Sequence, residues 1–399
     1  MIKRAVLFAT TLLLTTLGAA QTITAESAIA IDAASGKVLY QRNQDEELYP
    51  ASTTKIMTAL LLMEHRKPED IIVAPPDVTR VKESTMHLKP NEKVPMKDML
   101  YALMLRSAND GCYAVAVNIA GSVPKFSEMM NARAQELGCT HTHFDNPNGL
   151  NDRLHYTTAH DLALIAREAM HYEMFRDIVR TERTTINRGS NWQDTVMVNH
   201  NKILRRDPTC DGIKTGWTIP AGHCFVGTAS REGWRVITVV LKSKSWENDT
   251  EELFNWSYGN FIKTDEIKAG EPVGEAPVLN AGVEHVPMIA SADAYTLTAK
   301  EKQPSSTHLV QTLPKLVAPI EKNQKLGDLL ISDADGCRQH IPLLSAGDIP
   351  AHGFGSALAQ KGGSGSRLWM GAGLIMGAMY IRGRTRRRIL RVPPRRKAR

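Results

Sequence analysis

Strand-forming sequence lies at both ends of the first 260 residues, and helix-forming sequence lies between them. Alternating apolar and polar residues predict two strands joined by a Ser-Gly turn in "ESAIAIDAASGKVLYQRN". Similar alternation in 210–230, followed by an almost unbroken apolar run in 234–244, predicts three more strands. Apolar residues at helical spacing occupy the interval, in 48–67, 96–107, 112–122, 125–138 and 157–175. This order predicts an α+β domain in which an antiparallel sheet packs against a helical cluster.

The composition changes near Ile262, where Pro, Val and Gly punctuate short alternating runs. This pattern predicts a small all-β, sandwich-like domain at 263–350 and a flexible linker at 351–367. The fourteen apolar residues 368–381 would extend about 21 Å as a helix, against about 30 Å for a bilayer core. Because aromatic residues lie near both ends and nine Arg and one Lys follow in 382–399, we expect a C-terminal membrane anchor with a basic cytoplasmic tail. An interfacial or a soluble helix is the alternative.

The first twenty residues predict export. Residues 1–20 combine a positive start, an apolar stretch and small residues before Gln21, as a cleaved signal peptide does; an uncleaved anchor is the alternative. The net charge of +7 arises at the two basic ends of the chain, so the body between them is mildly acidic and a nucleic-acid groove is not indicated. No His/Cys group has the spacing of a zinc site, and we expect neither a metal nor a cofactor.

Three short motifs carry the chemistry. Ser52 and Lys55 in "PASTTK" lie one helical turn apart, where an amine can take the hydroxyl proton and activate the serine as a nucleophile. A second Ser-x-x-Lys, Ser122–Lys125, indicates how little this motif means by itself. Only the first is followed by the single Ser-x-Asn of the chain, at 107–109, and then by the Lys-Thr-Gly at 214–216.

This ordered set resembles the motifs of the penicillin-recognising serine enzymes. More narrowly, "YPASTTKIMTAL", "SANDGC", "NPNGL" and "CDGIKTGWT" resemble the low-molecular-weight penicillin-binding proteins that are D-alanyl-D-alanine carboxypeptidases. The resemblance implies a β-lactamase/transpeptidase-like fold for 21–262 and removal of the terminal D-alanine from peptidoglycan pentapeptides. It also implies acylation by β-lactam antibiotics, no cofactor, and a location on the extracytoplasmic face of a bacterial cell membrane.

The resemblance further implies the catalytic roles. Ser52 attacks the carbonyl between the two terminal D-alanines, and Lys55 is the general base. Ser107 relays a proton toward the leaving amine, and Asn109 orients Lys55 and the substrate amide.

It implies substrate-binding roles for four residues of one strand. Lys214 supplies positive charge that helps to keep Lys55 neutral and attracts the terminal carboxylate, to which Thr215 donates a hydrogen bond. Gly216 lets the acyl chain lie against the strand edge as an added strand would. The backbone N–H groups of Ser52 and Trp217 form the oxyanion hole.

Three features depart from the family or stand outside its motifs. An Arg that usually precedes the final helix and helps to hold the carboxylate has no counterpart in "LKSKSWENDTEELF", which leaves Lys242 and Lys244 as candidates. Asn148 stands where the family often has His. Cys210 and Cys224 frame the Lys-Thr-Gly strand symmetrically about Trp217, so a cross-strand disulfide is a hypothesis.

Other activities remain open from the sequence. A D,D-endopeptidase or weak transpeptidase would use the same acyl-enzyme. A class A serine β-lactamase needs a Glu in a Glu-x-x-Leu-Asn context, and no Glu between Asn109 and Lys214 is followed by Asn four residues later. A non-catalytic wall-binding protein would not need the complete set of catalytic residues.

Overall fold

The structure, a computed structural model, describes residues 23–189, 191 and 193–351. The predicted signal peptide (1–20), membrane anchor (368–381) and basic tail (382–399) lie outside the described residues, as does the predicted linker beyond residue 351. Within the described residues, every helix is too short or too polar to cross a membrane.

The strands divide between a mixed N-terminal part and an all-β C-terminal part. In chain order the strands of the described residues are β1 (Ser27–Asp32), β2 (Val38–Arg42), β3 (Ile71–Val73), β4 (Lys93–Pro95), β5 (Arg183–Thr185), β6 (Val196–Val198), β7 (Cys210–Thr218), β8 (Gly222–Arg231), β9 (Trp234–Ser243), β10 (Phe261–Ile267), β11 (Pro272–Pro277), β12 (His285–Ala290), β13 (Ala294–Ala299), β14 (Ser306–Thr312), β15 (Lys325–Asp333) and β16 (Arg338–Ser345).

The helices of the described residues all precede β10. They are α1 (Lys55–His65), α2 (Met96–Tyr101), α3 (Asn109–Ala120), α4 (Val123–Glu136), α5 (Ala159–Ala169), α6 (Glu173–Val179), α7 (Ile203–Arg206) and α8 (Trp246–Asn260). Short 3-10 turns at Ala51–Thr54 and Val78–Arg80 and a π-helical turn at Ala102–Arg106 complete them.

The N-terminal domain is a three-layer structure around one antiparallel sheet of order β2-β1-β9-β8-β7. Successive side chains of a strand point to opposite faces, so β1 serves two cores. Ile29 and Ile31 pack with the helical cluster, whereas Ala28 and Ala30 pack with α8. The α+β prediction and its antiparallel sheet are therefore confirmed, and β7, which carries the Lys-Thr-Gly motif, is an edge strand.

Helix α1 runs through the middle of the helical cluster. Every residue from Lys55 to Met63 is buried, as expected of a helix that is surrounded by other elements on all sides. A charged amine at the first position of such a helix must therefore be desolvated.

One helix prediction needs correction. The single helix expected across 157–175 is two helices, because the chain turns at Met170–Tyr172 between α5 and α6. This turn lets Phe175, Ile178 and Val179 of α6 enter the core. The last helix begins at Trp246, where its indole packs against Phe225 of β8 at a ring-centroid distance of 4.7 Å.

The C-terminal β domain consists of two antiparallel sheets. β10 pairs with β13, and the second sheet has the order β11-β12-β16-β15-β14. Apolar side chains such as Val286, Leu329 and Leu343 form its separate core. The predicted all-β character of this region is confirmed.

Candidate active site

Ser52 lies in a tight 3-10 turn, Ala51–Thr54, that leads into α1. Two hydroxyls brace the turn: Thr53 Oγ1 donates to Pro50 O at 2.6 Å, and Thr54 Oγ1 donates to Ala51 O at 2.9 Å. Ala51 has φ of 48°, a left-handed conformation that is unusual for a residue with a side chain. The turn leaves Ser52 half-buried while its neighbours are buried.

Lys55 is fully buried, and its amine lies beside the Ser52 hydroxyl. Nζ is 2.9 Å from Ser52 Oγ and donates to Asn148 O at 2.6 Å. Burial disfavours the ammonium form and lowers the pKa of Lys55 to about 8. A neutral amine at this place can accept the hydroxyl proton.

Ser107 and Asn109 occupy the break between the π-helical turn and α3. Ser107 has φ of 65° and ends the turn, and Asn109 opens α3. The Asn109 side chain donates to Glu83 O at 3.2 Å, and its backbone N–H donates to Ser84 O at 2.8 Å. Within residues 23–189, 191 and 193–351, Ser107 Oγ and Asn109 Oδ1 are buried without a hydrogen-bond partner. Buried polar atoms are rarely left so, and these two are available to a ligand.

Lys214 on β7 is a second buried amine. It is 1% exposed, and Nζ donates to Thr215 O at 3.0 Å. Burial lowers the pKa of Lys214 to about 7, and repulsion from Lys55 acts in the same direction. Two amines that repel one another lose their first proton near neutral pH.

Gly216 brings the edge strand β7 against the Ala51–Thr54 turn that carries Ser52, the nucleophile turn. A β-carbon at Gly216 would lie 3.0 Å from both Pro50 O and Ser52 N. The next residue, Trp217, has a side chain that is 58% exposed. Thr215 is half-buried at the same edge. The eight predicted site residues thus come from the nucleophile turn, the start of α1, the break before α3 and strand β7.

The "NPNGL" loop holds Lys55, a role that the sequence did not reveal. Besides the bond from Lys55 to Asn148 O, Thr58 of α1 donates to Pro147 O at 2.6 Å. Gly149 has φ of 86°, and a β-carbon there would lie 1.8 Å from Ala51 O. Backbone contacts carry little sequence signal, and the only hint was an Asn-Gly pair in a loop.

A cleft of mixed polar and apolar lining lies beside Glu83 and Ser84, whose carbonyl oxygens accept hydrogen bonds from Asn109. Its volume is about 530 Å³, and its lining includes Ser84, Thr85, His87, Arg106 and His200. Burial, together with the charges of Lys214 and Arg106, lowers the pKa of His200. In the part of the chain that the structure describes, no group of three or more His, Cys, Asp or Glu residues is placed to hold a metal.

Lys242, one of the two candidate cations for the carboxylate, forms an exposed ion pair of 2.7 Å with Glu26. One expectation fails at this end of the sheet. Cys210 lies opposite Ala229 and Cys224 lies opposite Gly216, and both are free thiols. The disulfide hypothesis is wrong because the hairpin turns at 219–221, later than the assumed centre at Trp217.

Comparison with protein families gives two matches. A model described as D-alanyl-D-alanine carboxypeptidase matches residues 15–245, and one described as penicillin-binding protein 5, C-terminal domain, matches residues 261–351. The chain is 30% identical to D-alanyl-D-alanine carboxypeptidase DacF of Bacillus subtilis over 83% of its own length and 87% of that protein. It is also 30% identical to DacC of Escherichia coli, over 84% and 86% of the two lengths.

Solved structures agree with these matches. Penicillin-binding protein 5 of Haemophilus influenzae is 28% identical, with a TM-score of 0.61 over 82% of this chain and 98% of that one. A peptidoglycan synthesis regulatory factor, PBP3, of Streptococcus pneumoniae is 26% identical, with a TM-score of 0.70 over 82% and 100% of the two chains.

Proposed function

This chain belongs to the D-alanyl-D-alanine carboxypeptidase family, and we propose that it removes the terminal D-alanine from peptidoglycan pentapeptides through an acyl-enzyme on Ser52. The observation that carries this proposal is the 2.9 Å distance between Ser52 Oγ and the buried amine of Lys55. A serine in contact with a desolvated amine is an activated nucleophile.

Acylation forms one bond and breaks one. Ser52 Oγ attacks the carbonyl carbon between the two D-alanines while Lys55 takes its proton. The carbon–nitrogen bond then breaks, and the proton passes through Ser107 to the leaving amine of D-alanine. The buried and unpartnered oxygens of Ser107 and Asn109 support their contact with substrate.

Substrate is held along the edge of β7. Lys214 and Thr215 offer a cation and a hydroxyl to the terminal carboxylate, and the missing side chain of Gly216 admits the acyl chain. The backbone N–H groups of Ser52 and Trp217 stabilise the oxyanion, at about 3–4 kcal/mol per donor in well-studied cases. Water then attacks the ester and releases the shortened peptide. β-Lactams acylate Ser52 by the same route and leave slowly.

The domain assignment follows from the same premise. We assign residues 21–262 to the serine peptidase domain and 263–350 to the C-terminal β domain. Export by residues 1–20 and attachment to the outer face of the cell membrane through residues 368–381 belong to the proposal. Their support is the sequence pattern of segments that lie outside the described residues.

Release of free D-alanine from a D-Ala-D-Ala-terminated peptide by the full-length protein in detergent tests the activity. Fluorescent penicillin tests the nucleophile. We expect Ser52→Ala to abolish both signals and Ser122→Ala, in the second Ser-x-x-Lys, to retain both. Ser122 caps α4 through the Lys125 N–H, so it is a matched serine outside the site. Labelling of the Ser52→Ala protein, or absence of D-alanine release by wild type, contradicts the proposal.

The assay also separates the neighbouring activities. Transfer of the acyl group to an added amine would indicate transpeptidation, which is the activity named for a Streptomyces K15 enzyme that is 31% identical over 60% of this chain. Rapid turnover of penicillin without D-alanine release would indicate a β-lactamase.

A further inference from the structure

His155 is a buried histidine that lies behind the nucleophile turn. It is 1% exposed, and its ring packs against Phe144 at a centroid distance of 5.6 Å. Both ring nitrogens have partners: the Asp145 N–H donates to Nδ1 at 3.0 Å, and Nε2 lies 2.8 Å from Thr54 Oγ1. Both ring nitrogens of this buried side chain are therefore satisfied.

The partners fix the direction of each hydrogen bond. A backbone N–H can only donate, so Nδ1 accepts and the single proton of the neutral ring is on Nε2. Nε2–H therefore donates to Thr54 Oγ1, which in turn donates to Ala51 O at 2.9 Å. Burial lowers the pKa of His155 to about 4, which keeps the ring neutral in the physiological range.

The two hydrogen bonds from His155 to Thr54 and from Thr54 to Ala51 O form a relay. This relay ends on the peptide group that contains the Ser52 N–H. The Ala51 carbonyl and the Ser52 N–H belong to one planar amide, so orienting the oxygen also orients the hydrogen. A hydrogen bond accepted by the oxygen makes the N–H of the same amide a stronger donor, because hydrogen bonds in a chain polarise one another. Gly149 lies so close to the same oxygen that a β-carbon there would be 1.8 Å from it.

We propose that His155 is a positioning residue for the oxyanion hole, acting through Thr54 on the Ala51–Ser52 peptide. The proposal rests on the proposed role of the Ser52 N–H as an oxyanion donor. The relay strengthens and aims this donor as negative charge forms on the carbonyl oxygen of the substrate. The benefit arises in the transition state, so it changes kcat and leaves KM nearly unchanged.

Thr54 offers the sharpest test because two substitutions separate shape from hydrogen bonding. Thr54→Val keeps the shape and removes the relay, whereas Thr54→Ser keeps the hydroxyl. His155→Phe removes the donor and keeps an aromatic ring. Thr250→Val is the matched control, since Thr250 is equally buried and its hydroxyl donates to Trp246 O in α8, away from the site.

The measurements are kcat and KM for D-alanine release, the rate of acylation by penicillin, and the affinity for a peptide boronic acid whose tetrahedral adduct carries an oxyanion. In Thr54→Val and His155→Phe we expect kcat, acylation rate and boronate affinity to fall together by about tenfold. KM should change less than about twofold, and Thr54→Ser and Thr250→Val should stay within about twofold of wild type.

Three results would overturn the inference: a folded Thr54→Val protein that acylates like wild type, equal losses in Thr54→Val and Thr54→Ser, or a change in KM alone. A wild-type protein that neither releases D-alanine nor binds penicillin would overturn the proposed function itself. If neither Thr54→Val nor His155→Phe folds, the ¹⁵N-edited spectrum of wild type decides. The His155 Nε2 proton should move downfield when the boronic acid binds, and an unchanged resonance contradicts the relay.

Discussion

Gly216 and Ser52 are so close that the strand and the nucleophile turn leave no room for a side chain between them. A β-carbon on Gly216 would lie 3.0 Å from the Ser52 backbone nitrogen and from Pro50 O. Both are backbone atoms, which cannot rotate away as a flexible side chain would. We expect Gly216→Ala to displace β7 from the turn and to reduce the acylation rate by on the order of 100-fold, because small shifts of reacting groups have large kinetic effects.

Gly259→Ala is the control for this substitution. Gly259 lies in α8, and a β-carbon there would meet nothing within 4 Å. Since Ala favours a helix over Gly, we expect unchanged activity and stability raised by up to about 1 kcal/mol. Thermal unfolding and penicillin labelling check both variants. A Gly216→Ala protein with the wild-type acylation rate would contradict the close approach.

The two buried amines predict how acylation depends on pH. Burial lowers the pKa of Lys55 to about 8 and that of Lys214 to about 7. At pH 6 both amines hold their protons and Ser52 lacks a base. Because Lys55 is the base and its pKa is about 8, its neutral fraction rises from about 1% at pH 6 to about half at pH 8, so the acylation rate should rise by about 50-fold over this range. Stopped-flow measurement with a chromogenic cephalosporin checks this rise.

Lys214→Gln tests whether the charge of Lys214 affects the pKa of Lys55. It removes the positive charge that repels Lys55, so the rise of the remaining rate should move to higher pH. Lys125→Gln, at an exposed lysine of α4, should leave the profile in place. A rise at unchanged pH in Lys214→Gln would show that the two amines do not interact.

Lys37 joins the two domains. Its amine donates to Leu297 O at 2.7 Å, to Asp333 at 2.7 Å and to Asp335 at 2.8 Å, and its side chain is 6% exposed. Removing the cation leaves the buried Asp333 carboxylate with two backbone donors but without its cationic partner. We expect Lys37→Met to lower the free energy of unfolding by about 3 kcal/mol while penicillin still labels Ser52.

Lys302→Met is the matched control, because Lys302 also pairs with Asp335, at 2.7 Å, but is 52% exposed. Lys302→Met should lower the free energy of unfolding by less than about 1 kcal/mol. Hydrogen bonds from Lys302 and then from Lys37 hold the pKa of Asp335 down at about 2. Its contribution to stability is therefore present above the unfolded pKa of Asp and is lost as the pH falls toward 2. Calorimetry of the three proteins at pH 7 and pH 3 checks both expectations, and equal losses in the two variants contradict them.

Much of the fold could be predicted because strands and helices differ in period. The alternation in "SAIAID" predicted β1, and the apolar run "WRVITVVL" predicted β9, which the structure buries on both faces. The break between α5 and α6 was missed because the apolar spacing continues through Met170 and Tyr172, and only three-dimensional packing ends the helix there.

The site shows the same division. Side chains with chemical identity, such as Ser52 and Lys55, could be found by their order along the chain. Asn148 and Ala51 contribute through their backbone carbonyl groups, which every residue has, so their identity gives no signal. Gly149 contributes through the absence of a side chain. His155 was missed because its partners are ten and about a hundred residues away in sequence.

The thiols give a last prediction, on the strand that carries the Lys-Thr-Gly motif. Burial raises the pKa of Cys210 to about 11 and that of Cys224 to about 12, so neither forms a thiolate at neutral pH. Cys112 and Cys139 are buried as well, whereas Cys337 is partly exposed. We expect a thiol reagent to modify Cys337 first in the native protein and the other four only on unfolding. Peptide mapping without reductant checks this, and a peptide containing Cys210 linked to Cys224 would contradict the register of β7 and β8.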